Sequence, residues 1–191
     1  MSSHHNVLVV IFLLVFSNVL VFIPSTGISP LQPASGASPP PNEDSITYWN
    51  SEWVVDSNIT YRNQTLIING NIIVKEHSTL TLVNVTLKLN GTGNISRYIQ
   101  VNDTGGLIIR DLDNNPNTIY DGCEITSNHT DGKHRFGFNI TTGANFIMEN
   151  SGLSQCGESS GSIYRRGLCI RTDFAVIRNC TINRLYAPFL S

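Results

Sequence analysis

From Leu66 onward apolar and polar residues alternate in short runs, and the alternation changes phase at Asn84, Asp111, Asn150 and Asn179. Leu80, Leu82 and Asn84 share one phase, and Val85, Leu87 and Leu89 take the other. Alternation with period two predicts strands, because every second side chain lies on one face. A one-residue phase change inside a continuing strand signal predicts a sharp corner, and Asn is the non-glycine residue best suited to the left-handed backbone that such a corner needs.

Counted from these anchors, the segments superimpose at positions -12, -10, -4, -2, +1 and +3. The first gives Ile72, Val74, Leu80, Leu82, Val85 and Leu87, and the second gives Ile99, Val101, Leu107, Ile109, Leu112 and Asn114. The third gives Phe138, Ile140, Phe146, Met148, Ser151 and Leu153, and the fourth gives Gly167, Cys169, Ala175, Ile177, Cys180 and Ile182. Of 24 slots 21 are apolar, where a 40% hydrophobic chain would fill roughly ten by chance. Anchor spacings of 27, 39 and 29 residues fit a repeat that stacks one supersecondary unit on the next. Stacked Asn side chains would then form a hydrogen-bonded ladder.

These residues, in particular the run Gly70-Asn71-Ile72 to Leu89, resemble right-handed parallel β-helix proteins of the pectate-lyase-like superfamily, especially exported surface proteins of archaeal type. The resemblance covers Leu66 to Ile182. It implies an all-β solenoid of about four coils with a ladder at Asn84, Asp111, Asn150 and Asn179, and it leaves activity open, since this fold carries lyases, hydrolases, adhesins and spacers alike.

The chain before the repeats divides into three. Residues 1–27 contain the 17-residue run Val7 to Ile23, broken only by Ser17 and Asn18, which reads as a signal peptide or a membrane anchor. No Lys or Arg precedes it, so the positive flank expected of a signal peptide is missing, while the absence of a basic cluster after it favours cleavage over retention as an anchor. Residues 28–45 hold five prolines among Ser, Gly and Ala and read as a disordered linker. Residues 46–65, with Trp49 and Trp53, are expected to cap the open apolar end of residues 66–191; a carbohydrate-stacking platform is the functional alternative. Little follows Ile182, so the far end is expected either to continue in further repeats or to be covered by a partner or second copy.

Composition narrows the function classes. Only 14% of residues are charged and the net charge is -2, while Asn, Ser and Thr number 21, 19 and 16. That excludes a basic stripe for nucleic acid and a polybasic membrane surface, leaving the N-terminal segment as the one membrane contact, if uncleaved. Sequons occur at Asn58, Asn63, Asn84, Asn90, Asn94, Asn102, Asn128, Asn139 and Asn179. Asn84 and Asn179 are expected to face inward unmodified. The glycan candidates are therefore Asn58 and Asn63, Asn102 and Asn139 on outward strand positions, and Asn90, Asn94 and Asn128 in loops. Four cysteines in an exported chain permit two disulfides, and Cys156 with Cys169 would staple the loop Gly157 to Arg166.

The longest insertion, between Asp111 and Asn150, gathers Asp121, Glu124, His129, Asp131, Lys133, His134 and Arg135. An acid beside a base suits glycosidic chemistry, and carboxylates with carbonyls suit Ca²⁺, but a solvated loop explains the same residues. No cofactor is expected otherwise, and zinc ligand spacing is absent. The outward positions Val83, Arg110, Glu149 and Arg178 lack the aspartate cluster of pectate lyases, and the hydrolase segments of polygalacturonases do not occur. The expected function is a non-catalytic, exported binding or spacer module in contact with polysaccharide or envelope glycan. A lyase or hydrolase on the same fold is the main rival, and a metal-handling accessory protein a weaker one.

Overall fold

The computed structural model describes residues 46–91, 97–113, 115, 117–118, 121–157 and 167–185. The expected leader at 1–27 and the linker at 28–45 lie outside the described residues. Among those described the chain is all-β, with fourteen strands and no helix, and every paired strand runs parallel to its neighbour.

Strands β2 (Trp53–Val55), β4 (Ile72–Val74), β6 (Arg97–Val101), β9 (Phe136–Ile140) and β12 (Leu168–Ile170) form a five-stranded sheet. The nine-stranded sheet holds β1 (Ile46–Trp49), β3 (Ile59–Ile68), β5 (Thr79–Leu89), β7 (Gly106–Arg110), β8 (Glu124–Ser127), β10 (Asn145–Glu149), β11 (Gly152–Ser154), β13 (Ala175–Arg178) and β14 (Thr181–Asn183), and it curls into a half-barrel. Each repeat places its strands in register with those of the repeat before. Trp53, Ile72, Ile99, Phe138 and Leu168 make one column. Tyr61, Leu82, Ile109, Met148 and Ile177 make another, and Leu66, Leu87, Ile125, Leu153 and Ile182 a third. These columns meet in one core that is fully buried from Trp53 to Leu153. At the last repeat Ile177 and Ile182 keep their places in the columns but are 37% exposed, because no further described strand covers them.

The segment expected as a cap is itself a repeat. Trp53, Val55, Ile59 and Tyr61 occupy core columns, and Asn63 pairs off against Asn84 as a fifth anchor. Its turn between the sheets is short: Val55 and Ile59 are four residues apart, against six for Val74 and Leu80, which placed it out of phase with the other segments. Only β1 remains as a cover, pairing with the second half of β3 and burying Trp49.

Two slots differ from the pattern. β7 ends at Arg110, short of Leu112, and it is Cys123 and Ile125 that stand opposite Val85 and Leu87. Leu112 is exposed, and Asn114 lies outside the described residues. In the last repeat Leu168 and Ile170, rather than Gly167 and Cys169, align with Phe138 and Ile140, because the next turn is one residue shorter. Cys169 consequently sits beside Asn139, on the face turned away from the core.

Candidate functional site

The corners are built by the anchors. Asn63, Asn84, Asn150 and Asn179 have φ of 50°, 51°, 46° and 52°, the left-handed conformation that lets one strand turn without ending. Asn84 Nδ2 donates to Asn63 Oδ1 at 3.0 Å, and Asn150 Nδ2 donates to Asp111 Oδ2 at 3.0 Å. Asp111 does not share the positive φ; at this anchor the chain departs into the insertion.

A left-handed corner also takes the next N–H and the preceding C=O out of the sheet ladder, and buried backbone groups must find other partners. Side chains of the +1 column supply them. Val85 N–H donates to Cys123 Sγ at 3.3 Å, and Cys123 N–H to Ser151 Oγ at 3.1 Å. In return Cys123 Sγ donates to the Arg110 carbonyl, Ser151 Oγ to the Glu149 carbonyl and Cys180 Sγ to the Arg178 carbonyl. Ser151 and the cysteines at these slots are thus corner-satisfying residues, which explains why this column tolerates polar atoms inside.

All four cysteines are free thiols, so the expected Cys156 to Cys169 bridge is not formed. Cys156 is buried beneath β9, where it bridges to Phe136, while Cys169 points off the outer side of β12. Burial pushes the Cys123 thiol up to about 11 and the Cys156 thiol further still. In the native protein at neutral pH, a maleimide or iodoacetamide reagent is expected to label half-buried Cys169 first and to leave Cys123 and Cys156 unmodified until denaturant is added. Mass spectrometry of digested protein reads this directly, and early labelling of Cys123 would contradict its place in the core.

The charged cluster of the insertion is separated into three places. Glu124 stands on β8, its carboxylate lying over Gly152, where a Cβ would collide with it, and accepting from Ser154 Oγ at 2.9 Å. His129, Asp131 and His134 form a tight turn: Asp131 Oδ1 accepts the Lys133 N–H at 2.9 Å, Asp131 Oδ2 contacts His134 Nδ1 at 2.8 Å, and the two imidazoles lie 4.4 Å apart. Arg135 turns away to the carbonyls of Gly132 and Arg184. Asp121 joins Asp111 and Asp113, and these three are the one group among the described residues able to hold a metal ion.

The Lys133 N–H, followed by the His134 backbone and ring, holds the Asp131 carboxyl down at about 2, below its ordinary 3.8. A depressed folded pKa means that the turn gains from ionised Asp131 above about 3.8 and loses that gain as pH falls towards 2. Carboxyl-detected NMR is expected to find an Asp131 midpoint near 2 with the Lys133 amide moving in the same step; a midpoint at the ordinary value would remove the hydrogen bond.

The glycan candidates fall into distinct environments. Asn58 is exposed between β2 and β3. Asn102 is half-buried and accepts from Gln100 Nε2 at 2.7 Å. Asn139, although on an outward strand position, is only 8% exposed, and Asn63 is a corner residue instead of a surface acceptor. Asn94 lies outside the described residues. Asn90 and Asn128, expected in loops, are rungs of a second amide ladder at the ends of β5 and β8. Asn69 donates to Asn50, Asn90 to Asn69 at 2.7 Å, and Asn128 to Asn90 at 3.4 Å. That ladder is hidden in the sequence because Asn50 and Asn69 carry no sequon and Asn50 lies in the segment expected to be a cap.

Between the two ladders the outer face after the corner carries a column of Thr65, Thr86, Glu124, Gly152 and Thr181 and a column of Ile67, Lys88, Thr126, Ser154 and Asn183. Trp49 and Trp53 are buried and offer no stacking platform to a sugar. A scan against protein-family models, a search of curated proteins and a search of solved structures each return no match for this chain.

Proposed function

We propose that the chain is an exported right-handed parallel β-helix that acts as a non-catalytic surface module, binding neutral polysaccharide of the cell envelope or its surroundings. The observation that carries this reading is the outer face bounded by the two amide ladders. Its hydroxyls repeat at the strand spacing of about 4.8 Å, and a rigid, mostly uncharged array of donors and acceptors suits a polymer of hydroxyls. The apolar run Val7 to Ile23 supports export, and the proline-rich stretch that follows would hold the folded part away from its point of attachment.

Retention on a panel of insoluble polysaccharides tests the proposal. Binding is expected for at least one neutral glycan and should weaken about tenfold or more when Thr65, Thr86, Thr126 and Ser154 are changed to Ala, about 1.4 kcal/mol in affinity. These outward substitutions leave the core untouched. Release of reducing sugars or unsaturated uronides would instead establish the lyase or hydrolase rival, and retention unchanged in the variant would move the binding face elsewhere.

A further inference from the structure

Asp111 stands where the ladder logic asks for Asn. In the rungs that form, an amide nitrogen donates towards the preceding repeat, as Asn84 does to Asn63 and Asn90 does to Asn69; the last anchor, Asn179, leaves Asn150 Oδ1 without a donor. A carboxylate has no N–H to offer Asn84, so that rung is missing. Asp111 is only 1% exposed, and although Oδ2 accepts from Asn150, Oδ1 is buried without any donor. Burying a carboxylate oxygen with neither donor nor cation is costly, so its presence calls for a partner.

The neighbouring groups are also acidic. One carboxylate oxygen from each of Asp111, Asp113 and Asp121 lies within 4.8 Å of the other two. Asp121 Oδ1 is likewise buried without a donor. Asp113 Oδ1 accepts the Asn115 N–H at 2.8 Å and the Thr118 hydroxyl at 3.0 Å, which leaves its other oxygen available. None of the three is ion-paired to a basic side chain; the ion pairs among the described residues are His134 with Asp131 and Arg178 with Glu149.

We infer that Asp111, Asp113 and Asp121 form a Ca²⁺ site at the base of the insertion. Ca²⁺ takes oxygens at about 2.3–2.6 Å, so its ligands can be up to about 5 Å apart, whereas the shell of Mg²⁺, with bonds of about 2.0–2.1 Å, spans only about 4 Å. Oxygens within 4.8 Å of one another fit a Ca²⁺ shell, and a set of three carboxylates suits Ca²⁺ better than Mg²⁺, which is usually held by one or two carboxylates and keeps several waters. Asp111 and Asp121 flank the first part of the insertion, between β7 and β8, and the Leu112 N–H already ties its two ends by donating to the Asp121 carbonyl at 3.1 Å. A bound ion fastens both ends to the ladder and neutralises the acidic rung that interrupts it. The site stands independently of the polysaccharide proposal.

Calorimetric titration and thermal melting of the EDTA-treated full chain with CaCl₂ and MgCl₂ test the site. One Ca²⁺ per chain is expected, with affinity at least about tenfold above that for Mg²⁺ and a melting temperature that rises with Ca²⁺. Asp121→Asn should weaken Ca²⁺ about tenfold or more, since ligand charge sets affinity. Asp111→Asn supplies the missing amide, so in EDTA it should melt at or above the wild type while losing the Ca²⁺ response. A wild type that neither binds Ca²⁺ nor gains stability from it overturns the site, as does a calcium response that survives in both variants.

Discussion

Replacing Trp53 by alanine is expected to lower the unfolding free energy by about 3–5 kcal/mol, the range for removing a fully buried large aromatic side chain. Trp53 has no exposed surface, packs edge-on against Tyr61 at 5.2 Å between ring centroids, and heads the column of Ile72, Ile99, Phe138 and Leu168. The cavity cannot be closed by local collapse, because β2 is held in register with β4 on one side and joined through a short turn to β3 on the other. Trp53→Phe keeps most of the packing and should lose much less. Denaturant unfolding followed by circular dichroism measures both; a loss under about 1 kcal/mol for the alanine variant would mean that Trp53 is not a core residue.

Asn150→Ala is expected to cost about 3–4 kcal/mol through two separable effects. Its φ of 46° is unfavourable for alanine by about 1–2 kcal/mol. Its Nδ2 is also the one donor to the buried Asp111 carboxylate, and a hydrogen bond to a charged group contributes about 1.5–3 kcal/mol. Asn150→Gly relieves the first effect and keeps the second, so it should be more stable than the alanine variant by about 1 kcal/mol. Equal stability of the two variants would show that the corner does not need a left-handed residue.

The fold was legible wherever one rule governed every residue of a segment. Leu80 to Leu89 announced both the strand and its corner, because period-two burial and the need for a left-handed residue at the phase change act together. The same logic failed at Asn63, where the turn between sheets is two residues shorter, and at Gly167 and Cys169, where it is one shorter. Burial periodicity fixes register within a strand and carries no information across a turn of variable length. At Asp111 the pattern could not tell a continuing strand from an excursion, since Leu112 looks apolar enough for the core. Only the return of Cys123 and Ile125 to their columns decides the matter.

Side-chain chemistry was less legible, because sequence proximity in a loop does not bring groups together in space. The residues from Asp121 to Arg135 looked like one cluster and occupy three places. Asp111 and Asp121 looked unrelated, yet the corner brings them together. The +1 column could not be anticipated either, since Ser151 stood as an exception to the apolar pattern and Leu112 took the slot that Cys123 fills, until the hydrogen bonds demanded by the corner are counted.

Parallel, in-register stacking of repeats underlies every one of these assignments, and engineered cross-linking tests it most directly. Thr81 and Ile108 are register partners on adjacent strands with half-buried outward side chains. Their α-carbons are expected about 4.8 Å apart, inside the range that a disulfide spans. In a background lacking the native thiols, Thr81→Cys with Ile108→Cys should oxidise to an intramolecular disulfide under mild conditions, whereas Thr81→Cys with Arg110→Cys, two residues out of register, should close far more slowly. Equal rates for the two pairs, or faster closure of the second, would contradict the register and the stacked architecture built on it.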